Sequence, residues 1–183
     1  MSVNFEILKS LGYEPSFFPN NILTMEKQKL IEAEVAAGDG IFVLGFPMNL
    51  AGAQRNYVIV REGIIARISE MLEGASNTFM IDSFVFPGNS GGPVVLRPEI
   101  LAIQGTKSHS NASLIGVVTS YRPYTDVAIS PQASRARVLF EENSGLADVL
   151  PMNFVEEAIQ SSRKSRGLAD VDTTSSIPAR DAK

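Results

Sequence analysis

The stretch Phe86-Pro87-Gly88-Asn89-Ser90-Gly91-Gly92-Pro93 runs straight into Val94-Val95-Leu96. A serine flanked by glycines can be held with its Oγ exposed while neighbouring backbone N–H groups share one concavity, an arrangement suited to an oxyanion. The N–H groups of Gly88 and Ser90 are the candidate donors. The same letters fit the G-x-S-x-G nucleophile elbow, which leads from a strand into a helix. Here β-branched residues follow the serine, so a strand is expected and the elbow is disfavoured. A glycine-rich hairpin turn without chemistry is the competing reading, but the eight-residue string is more specific than such a turn requires.

Working outward from that stretch, the chain reads as a series of short strands. Ile41–Leu44, Tyr57–Val60, Gly63–Ile68, Thr78–Ile81, Pro93–Leu96, Leu114–Val118 and Arg137–Phe140 are β-branched or aromatic runs, punctuated by Gly, Pro, Asn and Ser. With no helices between them, they predict an antiparallel sandwich or barrel rather than a parallel α/β sheet. Residues before Asn21 read as a short strand leading into a loop, because Gly12, Pro15 and Pro19 interrupt them. Thr24 is placed to cap a helix over Met25–Ala36 that Gly38 ends. Asn153 is placed to cap a second helix through Phe154–Ile159, whose apolar stripe is Phe154, Val155, Ala158 and Ile159. The expected organisation is an N-terminal segment over 1–36, a β domain with a closing helix over 37–160, and a polar, disordered tail over 161–183.

The chain has 183 residues and a formal net charge of −4, which fits one domain and argues against nucleic acid as the main partner. Its zero cysteines exclude a disulfide framework, an iron–sulfur cluster and a thiolate zinc site, and its single histidine, His109, excludes a multi-histidine metal site. No metal or organic cofactor is expected. The first twenty positions lack a basic start followed by an apolar run, because Asn4, Glu6 and Lys9 interrupt the hydrophobics. The longest apolar stretch, Ile41–Leu50, falls far short of the roughly 20 residues of a membrane span. A cytoplasmic protein with no membrane partner is the resulting expectation.

Pro87-Gly88-Asn89-Ser90-Gly91-Gly92-Pro93 resembles the nucleophile motif of the trypsin-like serine peptidases, in particular their bacterial high-temperature-requirement branch. The resemblance covers about Ala37 to Ile159. Gly38-Asp39-Gly40 with Ile41–Pro47 is similar to the approach to the second barrel of that chymotrypsin-like fold. Glu62-Gly63-Ile64-Ile65, Ile81–Val85, Ile115–Ser120 and Asn143-Ser144-Gly145-Leu146 are similar to strands that follow. The resemblance implies a mainly β chain forming that antiparallel β-barrel, with a short N-terminal helix and a C-terminal helix. It implies peptide bond hydrolysis through acylation of Ser90. It further implies an oxyanion hole at Gly88, Asn89 and Ser90, and an extended peptide or protein substrate added as a strand along Val118, Thr119, Ser120 and Tyr121. Asn89 stands where the digestive branch has the Asp that pairs with a newly cut N-terminus, so no such activation switch is expected. Ser83, Phe84 and Val85, just before the motif, suggest an apolar or small specificity pocket.

One departure limits this reading. In this family the order is His, Asp, Ser, and no histidine precedes Ser90. Asp39 and Asp82 match positions of the second barrel and are not the triad acid. His109 reads as a surface-loop residue, a Ser-Lys dyad with Lys107 is disfavoured because nothing fixes its geometry, and Asp126 reads as a strand-edge or turn residue. The expectation is a truncated endopeptidase lacking its N-terminal barrel, prone to self-association through the face that barrel would cover. Removing the histidine from such a centre costs about a factor of 10⁶ in turnover, so the chain alone is expected to be essentially inactive. The alternative is a catalytically inactive remnant that serves as a peptide-binding or structural module.

Overall fold

The computed structural model describes residues 4–13, 18, 23–50, 52, 57–98, 110–130 and 135–168. Six strands carry the fold: β1 (Gly40–Gly45), β2 (Ile59–Arg67), β3 (Phe79–Asp82), β4 (Pro93–Leu96), β5 (Ser113–Ser130) and β6 (Arg135–Pro151). They close into a barrel in the order β1-β2-β3-β6-β5-β4, with every pair of neighbours antiparallel. Side chains alternate across a strand with period two. Ile41 and Val43, Phe79 and Ile81, Val94 and Leu96, and Ala147 and Val149 therefore point inward as i, i+2 pairs, joined by Ile65, Ile115 and Val118. Each large aliphatic so buried contributes about 1.5–3 kcal/mol. The mainly β barrel expected from the sequence is the fold observed.

The two ends of the barrel differ. α2 (Lys27–Glu32) precedes β1, α3 (Ser69–Glu73) joins β2 to β3, and α4 (Met152–Ser165) follows β6, so these three of the four described α-helices lie at one end. Leu30 and Val35, with Ile68 and Met71, extend the core into that end and stopper it. The β1–β2 loop, the Ser90 loop and the β5–β6 hairpin emerge at the other. Among the described residues, no helix is long and apolar enough to cross a membrane.

Local chemistry explains where the elements depart from expectation. The first segment is helical, not extended: α1 (Phe5–Ser10) is capped by Asn4, whose Oδ1 accepts from the N–H of Glu6 at 3.0 Å and of Ile7 at 3.2 Å. α2 is shorter than the expected helix because Leu23, Thr24 and Met25 run along β5. Leu114 N–H donates to Leu23 O at 2.6 Å and Met25 N–H to Leu114 O at 2.9 Å. Thr24 is thus a strand-like bridge residue rather than a cap, and the helix ends before Glu34, which adopts φ +58°, rather than at Gly38. The runs at 57–60 and 63–68 form one strand across Gly63, where a side chain would strike the Asp82 carbonyl oxygen at the end of β3 and Ser83 just after it. α4 starts at Met152 and continues through Ser165, beyond the expected start of the tail, and residues 169–183 lie outside the described residues. Its inward face is Met152 and Glu156, one turn apart, whereas Ala158 and Ile159 are exposed.

Glu156 gives the fold a pH dependence. Burial raises its carboxyl above the ordinary range, repulsion from Glu26 adds to this, and Lys29 works against it. The folded state therefore prefers the protonated acid, and stability falls as pH rises through the elevated pKa. Glu156→Gln is expected to raise the urea midpoint at pH 7, and the gain should vanish at about pH 3, where the carboxyl is protonated in both states. An unchanged difference across that range would show that Glu156 is not the group responsible.

Candidate active site

The loop between β3 and β4 is held from three sides. From β2, the Arg61 guanidinium lies 5.1 Å from the centre of the Phe86 ring, and Phe84 stacks on the same ring at 6.4 Å. From the β1–β2 loop, Met48 N–H donates to Pro87 O at 2.7 Å. Met48 sits at φ +55°, a strained conformation for a side-chain-bearing residue that costs on the order of 1–3 kcal/mol. From β5, Val118 receives the loop's far end: Gly91 N–H donates to Val118 O at 2.7 Å, and Val118 N–H donates to Gly92 O at 2.9 Å.

Asn89 organises the turn from within. It is fully buried, its N–H donates to Phe86 O at 2.9 Å, its carbonyl accepts from Gly92 N–H at 2.8 Å, and its Oδ1 accepts from Phe86 N–H at 3.2 Å. Its Nδ2 has no acceptor among the described residues and faces Gly45, where a Cβ would stand 2.7 Å away. Asn89 therefore shapes the loop and has neither N–H nor side chain to offer a ligand. The N–H groups of Gly88 and Ser90 on either side take no acceptor among the described residues, and both residues are exposed. Gly88 has φ +99°, and a Cβ there would overlap the Phe46 carbonyl oxygen. Gly88→Ala is accordingly expected to lower stability by about 1–3 kcal/mol, read as a drop in urea midpoint. A neutral result would mean the loop can be rebuilt without the positive φ.

Ser90 Oγ is exposed and donates a long hydrogen bond of 3.5 Å to Thr119 O. Among the described residues, no acid or base contacts it. His109 and Lys107 lie outside the described residues. Asp39 sits at the helix-stoppered end, its carboxylate accepting from Ala36 N–H at 2.9 Å, while Asp82 ends β3 and is exposed. Asp126 lies within β5 opposite Phe140. No family model matches the chain. No curated protein and no solved structure matches it either.

The four residues expected to bind peptide divide into two sets. Val118 is buried and its backbone is taken up by the Ser90 loop. Thr119 and Ser120 are exposed and tied to β6, with Thr119 Oγ1 donating to Asp148 O at 3.0 Å and Ser120 Oγ to the Asp148 carboxylate at 3.3 Å. Arg122 clamps the same carboxylate through Nε and Nη2, at 2.9–3.2 Å. Tyr121 donates its hydroxyl to Glu141 at 3.0 Å, and that bond, reinforced by the carboxylate charge, raises its pKa.

A cavity of about 130 Å³ abuts the Ser90 loop and is lined by Phe86, Pro87, Tyr121, Glu141, Glu142 and Asn143. The sequence suggests Ser83, Phe84 and Val85 as the lining of a specificity pocket. Val85 is in the core, whereas Ser83 and Phe84 line a separate concavity with Glu62, Ile64 and Arg97. Sequence reading missed Asn143, which pins the loop by donating from Nδ2 to Val85 O at 2.6 Å while its Oδ1 accepts from Gly145 N–H at 2.9 Å. An Asn two residues before a glycine was the available signal, since Asn side chains commonly bond the backbone two residues on.

Proposed function

We propose that this barrel is the nucleophile-bearing part of a trypsin-like serine endopeptidase, with Ser90 the acylated residue and the N–H groups of Gly88 and Ser90 the oxyanion donors. The observation that carries the reading is the Ser90 loop itself: an exposed Ser90 beside two N–H groups without an acceptor among the described residues, on a turn fixed by a buried Asn89 and two positive-φ glycines, Gly88 and Gly91. In the reaction, Ser90 Oγ adds to the peptide carbonyl carbon as a base removes its proton. The carbonyl oxygen becomes the oxyanion, the amine leaves with a proton, and water releases the acyl group. The base and its orienting acid must come from outside the described residues.

A second reading has its own support. The only partner of Ser90 Oγ among the described residues is a carbonyl oxygen, and that contact is long. A non-catalytic module that binds extended peptide along Thr119–Tyr121 needs nothing more. Fluorophosphonate labelling, with and without added imidazole as a surrogate base and with Ser90→Ala as control, separates the two. Ser90-dependent labelling supports the peptidase, whereas its absence under both conditions removes the peptidase reading.

A further inference from the structure

The cavity beside the Ser90 loop has three walls, and each is tied to the next. Phe86 and Pro87, immediately before the oxyanion donor Gly88, form the loop wall, Tyr121 forms the β5 wall, and Glu141, Glu142 and Asn143 form the β6 wall. Asn143 Nδ2 donates to Val85 O at 2.6 Å, which fastens the β6 wall to the residue before Phe86. The Tyr121 hydroxyl donates to Glu141 at 3.0 Å and joins β5 to β6, while the bonds of Gly91 and Gly92 to Val118 join β5 to the loop. A space framed in this way is in place before a ligand arrives, so filling it costs little reorganisation.

Its lining is divided by chemistry. The rings of Phe86, Pro87 and Tyr121 offer apolar surface, whereas Glu141 and Glu142 bring two exposed carboxylates from β6. The Glu141 charge is felt at the β5 wall, where it helps to raise the Tyr121 pKa. No basic residue lines the cavity: Arg122 is held in its ion pair with Asp148, and Arg61 packs on the Phe86 ring at 5.1 Å without entering the lining. An anion placed here would meet two like charges. A cation on an apolar stem satisfies both parts, its stem lying on the rings and its charge meeting the carboxylates and the aromatic faces. The volume of about 130 Å³ holds about four water-sized groups at roughly 30 Å³ each, the size of one unbranched side chain.

We infer that this cavity takes a basic side chain of the bound peptide, at the residue whose carbonyl Ser90 attacks, with Glu141 and Glu142 as the specificity-determining residues. The inference rests on the reading of Ser90 as the nucleophile and adds the class of substrate. Two features place the side chain at that residue: Pro87 adjoins Gly88, and Tyr121 stands two residues along β5 from Thr119, whose carbonyl oxygen Ser90 Oγ reaches, roughly 7 Å at about 3.3 Å per residue. The preference replaces the apolar or small one suggested by Ser83, Phe84 and Val85, none of which lines this cavity.

The test uses the full chain and two peptidyl phosphonates that differ only in the side chain beside phosphorus, lysine in one and its neutral counterpart norleucine in the other, with imidazole as base. The lysine probe is expected to label Ser90 about tenfold faster, and Glu141→Gln combined with Glu142→Gln should bring the two rates together. Equal rates on the native chain overturn the inference. So does a lysine preference that survives both substitutions, because the selecting charge would then lie elsewhere. If neither probe labels Ser90, the nucleophile reading is what fails, and the cavity is tested by two-dimensional NMR. There n-butylammonium should shift the amide signals of Tyr121 and of residues 141–143, n-butanol should not, and the double variant should lose the response. In that case the shifts support the site for a basic side chain, and their absence overturns it.

Discussion

Fluorophosphonate is expected to modify this chain at Ser90 alone, and Ser90→Ala to bring labelling to background. The probe requires an oxygen nucleophile and places a phosphonyl oxygen where a peptide's oxyanion would sit. Its reaction therefore reports both the exposed Oγ and the N–H groups of Gly88 and Ser90. With only Thr119 O in reach at 3.5 Å, Ser90 has no described base, and the unassisted rate should be low. Imidazole at high concentration supplies that base and should raise the rate. Chain unfolded in urea should not be labelled, because the N–H pair exists only in the folded loop. Because Ser90→Ala removes the oxygen that would be phosphonylated, labelling of the variant should stay at background with or without imidazole. Equal labelling in the variant would show that another hydroxyl reacts and that Ser90 is not the nucleophile.

Ile81→Ala is expected to destabilise the chain by about 2–5 kcal/mol, the usual range for emptying a buried aliphatic site. Ile81 is fully buried on β3, the strand that pairs β2 on one side and β6 on the other. Its side chain meets the interior where Ile65 and Ala147 stand at matching register positions, and strand backbones fixed on both sides cannot collapse into the space. Urea titration should show a lower midpoint with an unchanged slope. A loss below about 1 kcal/mol would mean the barrel relaxes around the cavity, contrary to a closed six-stranded ring.

The barrel was legible because its strands alternate. Ile41 and Val43, and Phe79 and Ile81, announce an inward face before any pairing is known, and the Pro93–Leu96 run has the same limits in sequence and structure. The β5–β6 hairpin was legible only in part: Arg137–Phe140 reads as a strand, but nothing in Arg122–Ser130 marks the continuation of β5, which is kept by long-range pairing, with register shifts at Val118/Ser120 and Tyr121/Pro123 absorbing the irregularity against β6. α1 was hidden for the opposite reason, since nearby prolines masked the capping signal of Asn4. In the candidate site, the position of Ser90 could be read from local residue types. The supporting contacts from Arg61, Met48 and Asn143 could not, because each comes from a distant part of the chain.

The stoppered end of the barrel sets how the molecule can be tethered. Leu23–Met25 joins the barrel beside β5, and α4 departs from Pro151, both at the end opposite Ser90. Both routes therefore leave the barrel on the side away from Ser90. The Ser90 loop and the β5–β6 hairpin then face outward together, so an anchored array would present both to the same side of the solution.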